Sequence, residues 1–389
     1  MKKKLCCIVF LCLFFSLFSF EFPTIQNTRN LGLGGNYIAD LNSFYSFIYN
    51  PGNLGFQKKQ FVPLTTNTQL GGNINEFPNL LKALTGNVDE NFDINSLMNQ
   101  DFKIHGTGPV GIGVSKKMFG WAVFNDTNFT FRLEDKTLVE DDEEVTAYFA
   151  NFNLSESILG IVGFGIPLAI KNVGISIGAN VKPFLATTTY ADIRLDSLAD
   201  FDFKSLPVGF SAGLCFDAGA TVSFTEYVRF SLVWKDIFML GYASPSETAN
   251  QFFSLGNMFQ MFKKENFYLG KINFDTIITG IGFSIPTKKI TAGLVSKTSV
   301  YANFDNVIGL FVPSLKNKDQ LLNFSAGVEL LLLQTIALRC GYSDAHPSFG
   351  FGIQYKYLAL DLAVFTDELG SEVGENSQLN LAFGFTLQF

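Results

Sequence analysis

Apolar and polar residues alternate with a period of two through most of the chain beyond residue 56. The clearest run is Leu379, Leu381, Phe383, Phe385, Leu387 and Phe389, interleaved with Asn380, Ala382, Gly384, Thr386 and Gln388. The same pattern sets Phe349, Phe351, Ile353, Tyr355 and Tyr357 against Gly350, Gly352, Gln354 and Lys356. It recurs at Val228–Lys235 and at Phe324–Leu332. Successive side chains of a strand point to opposite faces. Each strand therefore has one large apolar face and one face of small, mostly uncharged residues. A soluble sandwich would turn a charged polar face to water. Small polar residues suit an enclosed lumen instead, and the apolar face then meets lipid.

About fourteen such strands are expected, starting near residues 60, 103, 119, 146, 173, 208, 227, 276, 290, 321, 336, 348, 358 and 376. Their connections alternate in length. Short ones are expected at Lys116–Phe119, Lys171–Asn172, Thr225–Tyr227, Thr287–Lys289, Leu333–Thr335 and Leu358–Ala359. Longer ones fall at 73–102, 134–145, 196–207, 237–275, 307–320 and 367–375. Short turns alternating with long outer loops, and an even strand count, are the rule of outer-membrane barrels. Helical spans are not expected: Ile158–Ile170 is short and holds Pro167, and Val328–Leu338 holds Glu329. The expected fold is an all-β, transmembrane antiparallel barrel.

Composition agrees with this reading. The 389 residues are 47% hydrophobic but only 16% charged, with 44 Phe, 35 Gly and a mean hydropathy of +0.22. A formal charge of −7 gives no basic footprint for nucleic acid. Lys2–Lys4 followed by the apolar Leu5–Phe18 reads as a secretory signal, with a cut expected after Ser19. Of five cysteines only Cys215 and Cys340 lie beyond that leader, on opposite faces by parity, so no disulfide is expected. No metal-ligand spacing is present, and no cofactor or enzymatic role is expected, because no nucleophile–base–orienter set can be assembled.

Residues 20–56 do not alternate. They carry Arg29, Gly32, Gly34 and Gly35, then Asn50, Pro51 and Leu54. A dinucleotide-binding glycine loop would need a preceding strand and a following helix, which this stretch lacks. It resembles the hatch of FadL-type outer-membrane long-chain fatty-acid transporters, their spirochaetal members in particular. That family pairs an R-x-L/M-G-M-G-G stretch with an N-P-A turn, where this chain has Gly52 for the Ala. The resemblance implies a signal peptide at 1–19, a hatch at 20–56 that plugs the lumen, and a barrel at 57–389. It also implies a monomer in outer-membrane lipid that takes up hydrophobic small molecules. FadL-type barrels have a lateral gate at a kink in the third strand. The polar run Asn125, Asp126, Thr127 and Asn128 interrupts that strand here, so these residues are gate candidates.

Parity and turn length predict three lumen charge pairs: Asp217 with Lys235, Glu329 with Arg339, and Lys356 with Asp361. They are read first as braces that neutralise charge. Arg339 or Lys235 could instead meet a substrate carboxylate. In the 237–275 loop, Phe252, Phe253, Leu255, Met258, Phe259 and Phe262 crowd a helix-like stretch beside Lys263. This is the candidate groove for an acyl chain. Passive uptake of hydrophobic compounds is thus the leading expectation. A docking partner for protein secretion or surface display and a general porin are the alternatives.

Overall fold

The computed structural model describes residues 25–35, 37–72, 76, 79, 101–140, 143–170, 173–194, 203–225, 227–248, 267–270, 272–289, 291–316 and 318–389. The strands are β1 Gln60–Val62, β2 Leu64–Gly72, β3 Asp101–Lys116, β4 Phe119–Glu140, β5 Glu143–Ile170, β6 Val173–Arg194, β7 Pro207–Ser223, β8 Val228–Trp234, β9 Met239–Thr248, β10 Phe267–Leu269, β11 Ile277–Ile285, β12 Val295–Phe304, β13 Phe324–Leu332, β14 Ile336–Ser343, β15 His346–Tyr355, β16 Leu358–Glu368 and β17 Ser377–Leu387.

Every strand pairing among the described residues is antiparallel, and the sheet closes on itself where β17 pairs with β2. Three positions in the ring are occupied by two segments each. β1 and β2 flank Pro63 and both run along β3. β8 and β9 both run along β7, and β11 and β10 pair with them in turn. The 17 segments therefore make a closed barrel of 14 strands. Ring closure gives each strand a hydrogen-bonded neighbour on both sides.

The wall is uneven in height. β4, β5 and β6 are 22, 28 and 22 residues long, whereas β13 to β17 have 8 to 11. About 9–11 tilted residues cross a bilayer, so the β4–β6 side rises well past it. Residues 134–140 and 143–145, expected as part of a loop, are instead paired at the top of this tall hairpin, without a break up to Glu140↔Glu143. The 237–275 stretch, also expected as a loop, contains β9 and β10.

Burial inverts that of a soluble protein. Along β17, Leu379 and Phe383 are 50% and 45% exposed, while Asn380 and Ala382 between them are 0% and 1% exposed. Phe349, Phe351, Leu360, Leu362, Phe230 and Ile177 likewise face outward. Lipid, not water, is the solvent that makes such a surface stable.

Residues 25–35 and 37–56 lie inside the ring, because their short helical turns contact β15, β16 and β17 on one side and β5, β6 and β7 on the other. Asn27 caps the turn Thr28–Leu31 by accepting from Arg29 N. Asn50 caps the 3₁₀ turn Pro51–Gly55 by accepting from Gly52 N. Pro51 sits at the first position, where its missing N–H costs no hydrogen bond. Gly34 has φ +83°, and a Cβ there would lie 2.6 Å from Tyr342 N of β14. Only glycine combines that conformation with that approach.

Candidate functional site

On the side of β13 to β16 the inner segment meets the wall through charge. The Arg29 guanidinium donates from Nε and Nη2 to the two carboxylate oxygens of Glu329, each at 2.9 Å. Its Nη1 reaches Asp40 Oδ2 at 2.6 Å. Burial strips water from Arg29, yet Asp40 and Glu329 more than offset this and hold its pKa well above the ordinary value. Glu329 stands opposite Arg339 in the β13–β14 ladder and accepts from its Nε at 2.7 Å. Arg339 Nη1 in turn reaches Asp361 Oδ1 at 2.7 Å. Gly350 and Gly352 leave the room that Arg339 fills. Forked, charge-assisted bonds of this kind fix orientation as well as energy.

On the side of β4 to β7 the contact is apolar. Phe44, Tyr45, Phe47 and Leu54 pack with Phe124, Leu159, Ile161 and Phe184 in one buried cluster. Tyr45 stacks on Phe124 with ring centres 5.8 Å apart. Polar groups of the inner segment, one backbone and one side-chain oxygen, accept from the wall here. Asn180 Nδ2 donates to Phe47 O at 2.9 Å, and Thr221 Oγ1 donates to Asn53 Oδ1 at 2.7 Å. Asn53 Nδ2 donates to Ile38 O at 2.9 Å, tying this turn to the turn at Ile38. A Cβ on Gly52 would lie 2.8 Å from the Ala220 backbone, which explains why Ala is absent at that position.

Two of the three expected charge pairs are replaced. Lys182, not Lys235, pairs with Asp217, at 2.7 Å, and also with Asp236. The cause is a bulge: Ala218↔Trp234 and Cys215↔Met239 are successive ladder pairs, so residues 235–238 face only Phe216 and Asp217. Asp236 has φ +45° and donates its backbone N–H to Asp217 Oδ1 at 2.9 Å. The bulge carries Lys235 away from Asp217 and over the Tyr49 ring, 5.6 Å from its centre. Lys356 does not face Asp361. The hairpin turns at Lys356–Tyr357, pairing Tyr355 with Leu358 and Gly352 with Asp361. Lys356 has φ +46° and lies over the Tyr357 ring. Cys215 is buried inside and Cys340 is exposed outside, both free.

Above the inner segment is a cavity of about 140 Å³. Gly34 and Gly35 form its floor, and Lys235, Asp305, Asn323 and Asp344 are among its walls. Asn323 is only 7% exposed, and its Nδ2 has no hydrogen-bond partner among the described residues. No ion pair within 4 Å joins Lys235 to an acid among the described residues. The cavity therefore presents an ammonium and an amide N–H₂ group with unused donors.

The gate candidates Asn125–Asn128 lie in an unbroken ladder with β5, so they do not interrupt their strand. The irregularity belongs to the opposing strand β3, whose register shifts between Thr107 and Gly111 beside Asn125. Gly108 there has φ +116°. Asp126 braces this spot from inside, with His105 Nε2 at 2.8 Å and Thr107 Oγ1 donating at 3.0 Å. Outside, a groove of about 420 Å³ is lined by Thr66, Thr68, Phe351, Leu362 and Phe383.

Phe252, Phe253, Leu255, Met258, Phe259, Phe262 and Lys263, like the leader, lie outside the described residues. Sequence reasoning missed Asp40, Asn53, Lys182 and Asn323. Lys182 alone gave a signal, since it shares the polar face of β6 with Asn180.

No protein-family profile matches the chain, and no curated protein matches it. Among solved structures, the Pseudomonas putida toluene transporter TodX is 12% identical, with a TM-score of 0.48 over 92% of this chain and 97% of that one. The Ralstonia pickettii toluene transporter TbuX is 10% identical, with a TM-score of 0.42 over 94% of this chain and 98% of that one. A Pseudomonas aeruginosa FadL homologue is 11% identical, with a TM-score of 0.41 over 96% of this chain and 99% of that one.

Proposed function

We propose that the protein is an outer-membrane channel for passive uptake of hydrophobic small molecules, long-chain fatty acids in particular, through a barrel plugged by residues 20–56. The observation that carries this reading is a lipid-facing barrel whose bore holds a buried segment braced to both walls. A general porin needs an open aqueous lumen, which such a segment would obstruct. The cavity above the segment supplies a head-group site: Lys235 and Asn323 would hold a carboxylate while Ile278, Leu322 and Phe324 meet the first carbons. The β3 bulge at Gly108, backed by Asp126, is the lateral outlet in this scheme. The external groove beside it would receive the leaving chain.

Native mass spectrometry of protein extracted in mild detergent tests the substrate class. Bound acyl chains support the proposal, and Lys235→Gln should reduce their occupancy. Stable recovery with a cargo protein and no lipid would instead favour the docking role. Free ion conduction in planar bilayers would favour a porin.

A further inference from the structure

The head-group cavity holds more acid than base. Lys235 enters it from the bulge, Asp305 from the end of β12, and Asp344 from the β14–β15 turn. Lys318, on the loop that follows Asp305, acts on both acids from outside the lining. Asp305 and Asn323 are held at one rim, because Asp305 N donates to Asn323 O at 2.8 Å. Lys235, Asn323 and Asp305 all line this one small cavity. An anion seated on Lys235 and Asn323 therefore shares that cavity with Asp305. Two carboxylates so placed cannot both stay ionised without cost.

We propose that Asp305 is a specificity-determining residue that competes with the ligand carboxylate for Lys235, so that capture of a fatty acid is coupled to uptake of one proton by Asp305. The proposal rests on the transport reading above and names the regulation of that same site.

Asp305 is open to the water of the mouth but ringed by protein. That enclosure pushes its carboxyl up to about 6, against the pull of Lys235 and Lys318. Burial raises Asp344 too, with Lys318 opposing. The sign follows from linkage. Below about 6, Asp305 is neutral and Lys235 is left to the ligand. Above it, Asp305 is an anion, and a second carboxylate binds only as Asp305 takes up a proton from solvent. Affinity then falls as pH rises, by up to about tenfold per pH unit. A free fatty acid, whose carboxyl resembles that of Glu with a pKa of about 4.3, is ionised in solution throughout that window.

Isothermal titration of octanoate into the full chain in lipid nanodiscs tests this. Titrations near pH 7 in phosphate and in Tris, which differ in ionisation enthalpy, report protons taken up per ligand bound. The expected result is uptake approaching one proton and affinity weakening roughly tenfold or more between pH 6 and 8. Asp305→Asn should bind octanoate with a flat pH profile and no proton uptake, and 1-octanol should bind wild type without pH dependence. Octanoate binding that weakens in Lys235→Gln but draws no proton in wild type overturns the coupling alone. Full proton uptake in Asp305→Asn overturns it as well. Octanoate binding at no pH, or binding indifferent to Lys235→Gln, overturns the head-group reading and this inference together.

Discussion

The two flanks of the inner segment hold the same stretch, residues 25–35 and 37–56, by opposite means. Against the tall β4–β7 wall the contact is aromatic and dry, with Phe47 and Leu54 both at 0% exposure. Against the short β13–β16 wall it is a chain of four ion pairs, Asp40–Arg29–Glu329–Arg339–Asp361. An apolar contact tolerates loss of one group in proportion to the volume lost. A buried ionic chain does not, because each removed charge strands another. The charged flank should thus be the brittle one and the aromatic flank the graded one.

Four experiments would break or sharpen that contrast, in descending order of effect. Deleting residues 20–56 removes both flanks, and single-channel conductance in planar bilayers should rise from near zero to that of an open pore. Unchanged conductance would mean that something else closes the bore. Arg29→Met leaves Asp40 and Glu329 without their cation, and should cost about 3–5 kcal/mol in urea unfolding. Adding Glu329→Gln should recover part of that loss, and a loss under about 1 kcal/mol would make the charged flank incidental. Leu54→Ala on the aromatic flank should cost about 2–4 kcal/mol. Gly52→Ala should cost about 1–3 kcal/mol, since its Cβ must displace the Ala220 backbone. If Gly52→Ala is neutral, the segment is looser against β7 than the geometry implies.

Much of the barrel was legible in the sequence because its signal is local. Alternation along β17 separates lipid-facing Leu379 and Phe383 from lumen-facing Asn380 and Ala382 without knowledge of any neighbour. A three-residue turn at Leu333–Thr335 sets Leu332 against Ile336, and the register then carries Glu329 to Arg339. The same arithmetic failed at Lys356, where a tighter turn gives a different register. It failed at Lys235, where a bulge cancels parity over residues 235–238.

By itself, then, the sequence determined not the strands within 134–145 and 237–275 but the strands with unbroken alternation, their two faces and the non-alternating character of the N-terminal stretch. Each of these follows from the period of the extended chain and from glycine and proline chemistry. Only the tertiary structure decided that Asp217 meets Lys182, that Arg339 joins Glu329 to Asp361, and that Lys235 and Asn323 converge on one cavity. Those partners lie on different strands or on the loops and bulge between them. Their meeting depends on where turns, bulges and ring closure accumulate, which no local period records.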